Sequence, residues 1–156
     1  MTLWKQPPLA KVYEALTAVA DGRVILTSET TAHIRSSDGS KVYDLSWSAD
    51  GCTVSSNDNA SYWRGYLGYP IIALLLVQGR VTYDPAVAQA LAGVPWKALN
   101  TQFKRNYARA IEHVLADIAA KGGDRVAIAR QAEAILAQLG ELELERGPRG
   151  KGPPRS

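Results

Sequence analysis

The sequence predicts an α+β fold: an N-terminal helix, a four-stranded antiparallel meander, then about four helices packed on one sheet face, with a disordered basic C-terminal tail. Three observations predict it. Apolar residues recur at three-and-four spacing at the start, switch to period two between residues 23 and 56, and then return to helical spacing. Two Asp-Gly pairs, Asp38-Gly39 and Asp50-Gly51, stand between period-two runs, where tight hairpins need residues tolerant of positive φ. The two patterns are segregated along the chain instead of alternating, which argues for α+β over a parallel α/β sheet.

Each element has its own local reason. Leu9, Val12, Tyr13, Leu16, Val19 and Ala20 make one helical stripe, opened by Pro7-Pro8 and stopped by Asp21-Gly22. Strands are expected near 23–27, 32–36, 41–48 and 52–56. The third is clearest, with Tyr43, Leu45 and Trp47 on one face and Asp44, Ser46 and Ser48 on the other. Strands two to four form the meander and strand one joins its edge. Pro70 opens a short helix, IIALLLVQG, which has no polar face before Gln78 and must be buried. Asp84-Pro85 caps and starts another short helix running to about Leu91.

One long helix is expected from Pro95 to Lys121, with Leu99, Phe103, Tyr107, Ala110, Ile111, Val114 and Ile118 as its apolar stripe. Gly122-Gly123 ends it. Asp124 caps a last helix, whose stripe from Val126 to Leu139 packs antiparallel on the preceding one. The 156-residue length suits one domain, read as residues 1–146, followed by the tail 147–156, GPRGKGPPRS, which has no apolar residue to hold it to a core.

Composition narrows the function classes. The lone Cys52 allows no internal disulfide, and no Cys or His cluster has metal-ligand spacing. The N-terminal stretch has no apolar run for a signal-peptide core, and the most apolar run, Ile71 to Val77, is far short of the roughly 20 residues that span a bilayer. A cytoplasmic protein with no membrane association is expected. Charge is uneven: seven cations face eight acids over residues 1–93, seven face four over 94–140, and four face three over 141–156. The positive excess is C-terminal, which hints at an anionic partner.

No motif for chemistry stands out. His33 and His113 lack partners at zinc-finger or HExxH spacing, the tail glycines around Lys151 lack the strand, helix and Ser/Thr of a P-loop, and no GxSxG elbow occurs. Asn57-Asp58-Asn59 reads as turn or cap chemistry, since the alternating acids of a calcium loop are missing. No cofactor, metal site or catalytic residue is assigned.

Two surfaces remain. In SNDNASYWRGYLGYP, Tyr62 and Tyr66 fall at i and i+4 with Trp63 beside them and Arg64 turned away. The rings either stack on a ligand or close over the apolar helix. On the long helix, Lys97, Lys104, Arg105 and Arg109 lie opposite the apolar stripe, and Arg146, Arg149, Lys151 and Arg155 continue the charge into the tail. These eight cations are the candidate nucleic-acid-binding residues; the competing interpretation is a solvated helix face with a solubilising tail. The expectation is a non-catalytic binding module associating weakly with nucleic acid or a nucleoprotein assembly. One alternative is a protein-interaction module or homodimer built on the aromatic loop and apolar helix. Another is an enzyme whose carboxylates, such as Asp38, Asp58 and Asp84, meet only in space.

Overall fold

A computed structural model describes residues 2–148 and 150–154. The first helix, α1 (Leu9–Ala20), begins where Pro8 leaves an extended conformation, and Val12 to Ala18 are all buried. Burial on every face exceeds the single stripe expected for it. The reason is its place in the fold: α1 packs against the apolar helix and against three of the later helices.

The sheet follows as β1 (Val24–Leu26), β2 (Thr31–Arg35), β3 (Val42–Trp47) and β4 (Thr53–Ser56), antiparallel in chain order. Register places Ala32 opposite Leu45 and Ile34 opposite Tyr43, so these side chains form the core face, while His33 and Asp44 pair on the other. Both Asp-Gly turns use one device. Ser36 Oγ donates to Asp38 Oδ1 at 2.9 Å, Asp38 Oδ1 accepts from the Ser40 N–H at 2.9 Å, and Ser36 Oγ accepts from the Lys41 N–H at 3.0 Å. Ser48, Asp50, Cys52 and Thr53 repeat it, and Gly39 and Gly51 both take φ of 76°.

The sheet is mixed, not purely antiparallel. A short β5 (Glu145–Arg146) lies parallel to β4, with Glu145 N–H donating to Cys52 O at 2.9 Å. Its outer side is covered by the N-terminal segment: Arg146 N–H donates to Thr2 O at 2.7 Å and Trp4 N–H to Leu144 O at 2.9 Å. Beyond β5, Ser55 Oγ donates to Pro148 O at 3.2 Å, and Lys151 lies in a groove on the outer sheet face beside His33 and Asp44.

The connection from β4 carries a π-turn, Ala60–Arg64, ended by Gly65 at φ 73°. Then comes α2 (Tyr69–Val77), whose residues Pro70 to Leu76 are all buried against α1 and the sheet. The protein-interaction alternative invoked this helix as an interface. Its apolar face is already used in the core, and only Val77 of the run is exposed. Next is α3 (Pro85–Ala90), where Asp84 Oδ1 accepts from the Ala86 N–H.

The single long helix expected from Pro95 is two helices, α4 (Trp96–Gln102) and α5 (Tyr107–Ala120). At the break, Arg105 N–H donates to Asn100 O at 2.7 Å and Lys104 N–H to Thr101 O at 3.1 Å, the hydrogen-bond pattern of a Schellman cap. Lys104 takes the left-handed position that glycine usually fills, at φ 52°, and Arg105 follows at φ 64°. Asn106 then caps α5, accepting from the Arg109 N–H. The last helix, α6 (Arg125–Glu141), is capped by Asp124 as expected and packs on α5 and α1. Among the described residues five helices and a π-turn thus follow β4, against about four helices expected. Among the described residues no helix is long and apolar enough to cross a membrane.

Candidate functional site

The break between α4 and α5 faces the π-turn across a cleft of about 1160 Å³. One wall is the π-turn with the short segment after it, bringing Trp63, Arg64 and Tyr66. The opposite wall is the α4–α5 joint, bringing Lys97, Asn100, Lys104, Arg105 and Tyr107. The β2–β3 hairpin supplies Lys41 and Tyr43, and α1 supplies Lys11 and Glu14. Seven cations line the cleft against two carboxylates, although the whole chain carries only +3. The cleft therefore holds a concentration of positive charge that the rest of the surface offsets.

These cations are not equivalent. Lys97 Nζ is 3.0 Å from Asp38 Oδ2 and donates to Ser40 Oγ at 3.0 Å, tying α4 to the β2–β3 turn. Hydrogen bonds from Ser40, and after them from Lys97 and Ser36, hold the Asp38 carboxyl well below the usual carboxylate range. Arg23 Nε is 3.5 Å from Asp21 Oδ2, and Lys11 is paired with Glu14. Arg64, Lys104 and Arg105 are exposed and form no salt bridge among the described residues. They are the charges available to a ligand.

The aromatic lining is graded in exposure. Trp63 is the most open ring, at 64% exposure, and Tyr107 is 37% exposed. Tyr66 is half-buried. Trp96 is buried, held by its Nε1–H donating to Thr17 Oγ1 at 2.8 Å, and serves the core. The π-turn is pinned from beneath by Asp58, a buried carboxylate that accepts from Ser56 Oγ and, at 3.1 Å, from the Ser61 N–H. Ser61 Oγ in turn accepts from the Gly68 N–H at 3.0 Å.

Both surfaces expected from sequence converge here, with changes in membership. Arg64 is not turned away but lines the cleft with Trp63. Tyr62 is absent from the lining and packs edge-on against Trp63, with ring centroids 4.6 Å apart. The π-winding of this turn and the left-handed Gly65 after it replace the α-helical geometry on which the i, i+4 expectation rested. Tyr107, expected in the apolar stripe, faces the cleft because α5 starts anew at Asn106. Arg109 lies outside the cleft with its guanidinium 5.5 Å from the Phe103 ring centroid, and Arg146 is 5.0 Å from the Trp4 ring. Lys151 lines the separate outer groove. Arg149 and Arg155 fall outside the described residues.

Sequence reading named Arg64 only as flanking the rings and Tyr107 only in the apolar stripe, and it missed Lys11, Arg23 and Lys41. No local signal marks them, because their elements meet only in three dimensions. Nor do Asp38, Asp58 and Asp84 meet: Asp38 closes a hairpin, Asp58 pins the π-turn and Asp84 caps α3.

Consecutive left-handed cations at a cleft mouth are a strain feature of the kind that marks functional sites. Left-handed backbone costs roughly 1–2 kcal/mol per non-glycine residue, of which glycine's freedom in the unfolded chain takes back about 0.4–1. K104G/R105G should therefore gain about 1 kcal/mol of stability, read as a rise of about 2–4 °C in Tm. A flat or lowered Tm would show that the joint is not strained.

The chain belongs to the family described as uncharacterised conserved protein UCP014422, whose model matches residues 4–145. That span contains every residue lining the cleft. No curated protein and no solved structure matches the chain.

Proposed function

We propose that this family member is a binding protein for single-stranded nucleic acid, with backbone phosphates held by Arg64, Lys104 and Arg105 and bases stacked on Trp63, Tyr66 and Tyr107. One observation carries the proposal: exposed cations without acidic partners among the described residues and accessible rings face each other across one cleft. Either set alone is ordinary. Together they match the two halves of single-strand recognition, a positive groove that tracks the backbone and aromatic faces that accept any base. A duplex hides its base faces, so the rings favour a single strand. The absence of His33 and His113 from the lining, and the separate structural roles of Asp38 and Asp84, favour binding without chemistry.

A labelled single strand of about 12 nucleotides and the matching duplex, titrated at low and moderate salt, test the proposal. Binding to the single strand should be micromolar or looser at physiological salt and should weaken steeply as salt rises. W63A should lose about 1–3 kcal/mol, the value of one stacked base. Failure of both nucleic acids to bind at low salt removes the proposal, and equal binding of duplex and single strand removes the stacking role.

A further inference from the structure

The two edges of the sheet are finished differently. At β5 the outer side is clasped by the N-terminal segment, through the Arg146 N–H to Thr2 O and the Trp4 N–H to Leu144 O. At the opposite edge, β1 has β2 on one side and no strand on the other. Ile25 and Leu26 are 47% and 56% exposed there, and Val77, on the helix packed against this strand, is 42% exposed. Soluble proteins blunt such an edge with a lysine, a proline or a bulge, or else they pair it. Val24-Ile25-Leu26 has none of those three devices. The flanking cation, Arg23, is turned back onto its own chain, with Nη1 donating to Arg35 O at 2.6 Å and Nε 3.5 Å from Asp21 Oδ2.

The ladder decides what can pair on this edge. Thr27 N–H donates to Thr31 O at 3.0 Å, and bonded and non-bonded pairs alternate along antiparallel strands, so Ile25 and His33 are the next bonded pair. Val24 and Leu26 fall in the pairs between. Their N–H and C=O groups therefore point away from β2, and none of the described residues bonds to them there. A second copy of the chain meets these four groups in one register alone. A two-fold axis at Ile25 sets Val24 of each copy opposite Leu26 of the other, so that every outward group is bonded. An axis at Val24 or at Leu26 would instead call on the N–H of Gly22 or Ser28, which already donate to Val19 O and Thr31 O. The favoured register also sets the two Ile25 side chains side by side on the outer face, and Leu26 beside Val24 of the other copy on the core face. The strand carries no charge, so nothing in it repels its own image.

We propose that the protein forms a two-fold dimer through β1, joining two five-stranded sheets edge to edge. This interface is distinct from the aromatic loop and apolar helix expected from sequence, and it stands independently of single-strand binding. Three paired residues a side make it small, with a Kd on the order of 10–100 μM at the weak end of specific interfaces.

The test is sedimentation of the full chain at moderate salt over a range of concentrations. The mass should rise from 16.9 kDa towards twice that value as the concentration passes the Kd. L26K should weaken the dimer by about 100-fold or more, because the two-fold axis places the added charge at the interface twice. V126K makes the same change at an equally exposed residue of α6 and should leave the Kd within about twofold. In a C52S background, which removes the exposed native thiol, I25C should form an intermolecular disulfide under mild oxidation, since a non-hydrogen-bonded pair holds its Cα atoms about 4.5 Å apart. T27C should not, because this register sets its two copies about 13 Å apart. A mass that remains 16.9 kDa at about ten times the expected Kd overturns the dimer. A dimer that L26K leaves intact, or that T27C links as readily as I25C, overturns the edge pairing.

Discussion

R64E/K104E/R105E is expected to bind single strands at least about 100-fold more weakly than the unsubstituted chain at moderate salt, and with a shallower salt dependence by about one unit of slope per cation lost. The expectation rests on which cations are engaged. Lys97, Arg23 and Lys11 already face acids, whereas these three form no ion pair among the described residues. Each reversal removes an attraction and places a negative charge where phosphate would sit. The matched control is R109E/R130E/K151E, which changes net charge equally at exposed positions outside the cleft. Its effect should stay below about tenfold, because these three do not line the cleft and exposed charges are screened over a Debye length of roughly 8–10 Å. Anisotropy titrations of both variants decide the matter. Equal losses would mean that net charge, and not the cleft, drives binding. Thermal melts should show both folded, since neither set removes a buried partner.

The largest effect on stability is expected from G68A, which should destabilise the fold by about 3 kcal/mol or more, combining overpacking with displacement of a buried charge. Gly68 is extended, at φ −71°, so backbone strain is not the cause. A Cβ there would lie 2.1 Å from Asp58 Oδ2 and 2.6 Å from Ser61 Oγ. Neither can retreat without giving up the bonds that pin the π-turn. Tm should fall by about 6–12 °C, and affinity for a single strand should fall with it at temperatures where the variant is still folded, because Trp63 and Arg64 ride on that turn. G140A is the contrast: an added Cβ meets nothing closer than 3.8 Å, and removing a glycine from α6 should stabilise by about 0.5–1 kcal/mol. A melt of G68A within a degree or two of the unsubstituted chain would show that the Asp58 and Ser61 contacts contribute little.

Elements whose signals are local were legible in the sequence. The boundaries of α1 coincide with the apolar stripe and its Asp-Gly stop, both hairpins carry their Ser-x-Asp-Gly turns, and Asp84 and Asp124 cap the helices they were expected to cap. The α4–α5 break was illegible because its cap residue is Lys104, where propensity would place glycine or asparagine, so the stripe of Leu99, Phe103 and Tyr107 reads as continuous. Asn106 was the one available cue. The parallel β5 left a fainter trace in the alternation of Leu142, Glu143, Leu144 and Glu145, but its partner strand lies far back in the chain. The cleft was half legible: the aromatic loop with its Arg64 and the cations of the α4 region were visible separately, and no local pattern says that Lys11, Arg23 and Lys41 join them.

The seam between Thr2 and Arg146 has a consequence for the order in which this chain can acquire its shape. The hairpins join near neighbours and can close as soon as their residues exist, whereas the seam must bring together segments separated by almost the entire polypeptide, at the greatest loop-closure entropy in the molecule. During synthesis the Trp4 segment waits, with its edge of β4 bare, until Leu144 to Gly147 emerge to be clasped between them. The same seam is the natural place for the native state to fray first, and because Lys5 N–H donates to Gly65 O and Leu67 N–H to Lys5 O, opening that runs past Trp4 to Lys5 would loosen the wall of the cleft that carries Tyr66.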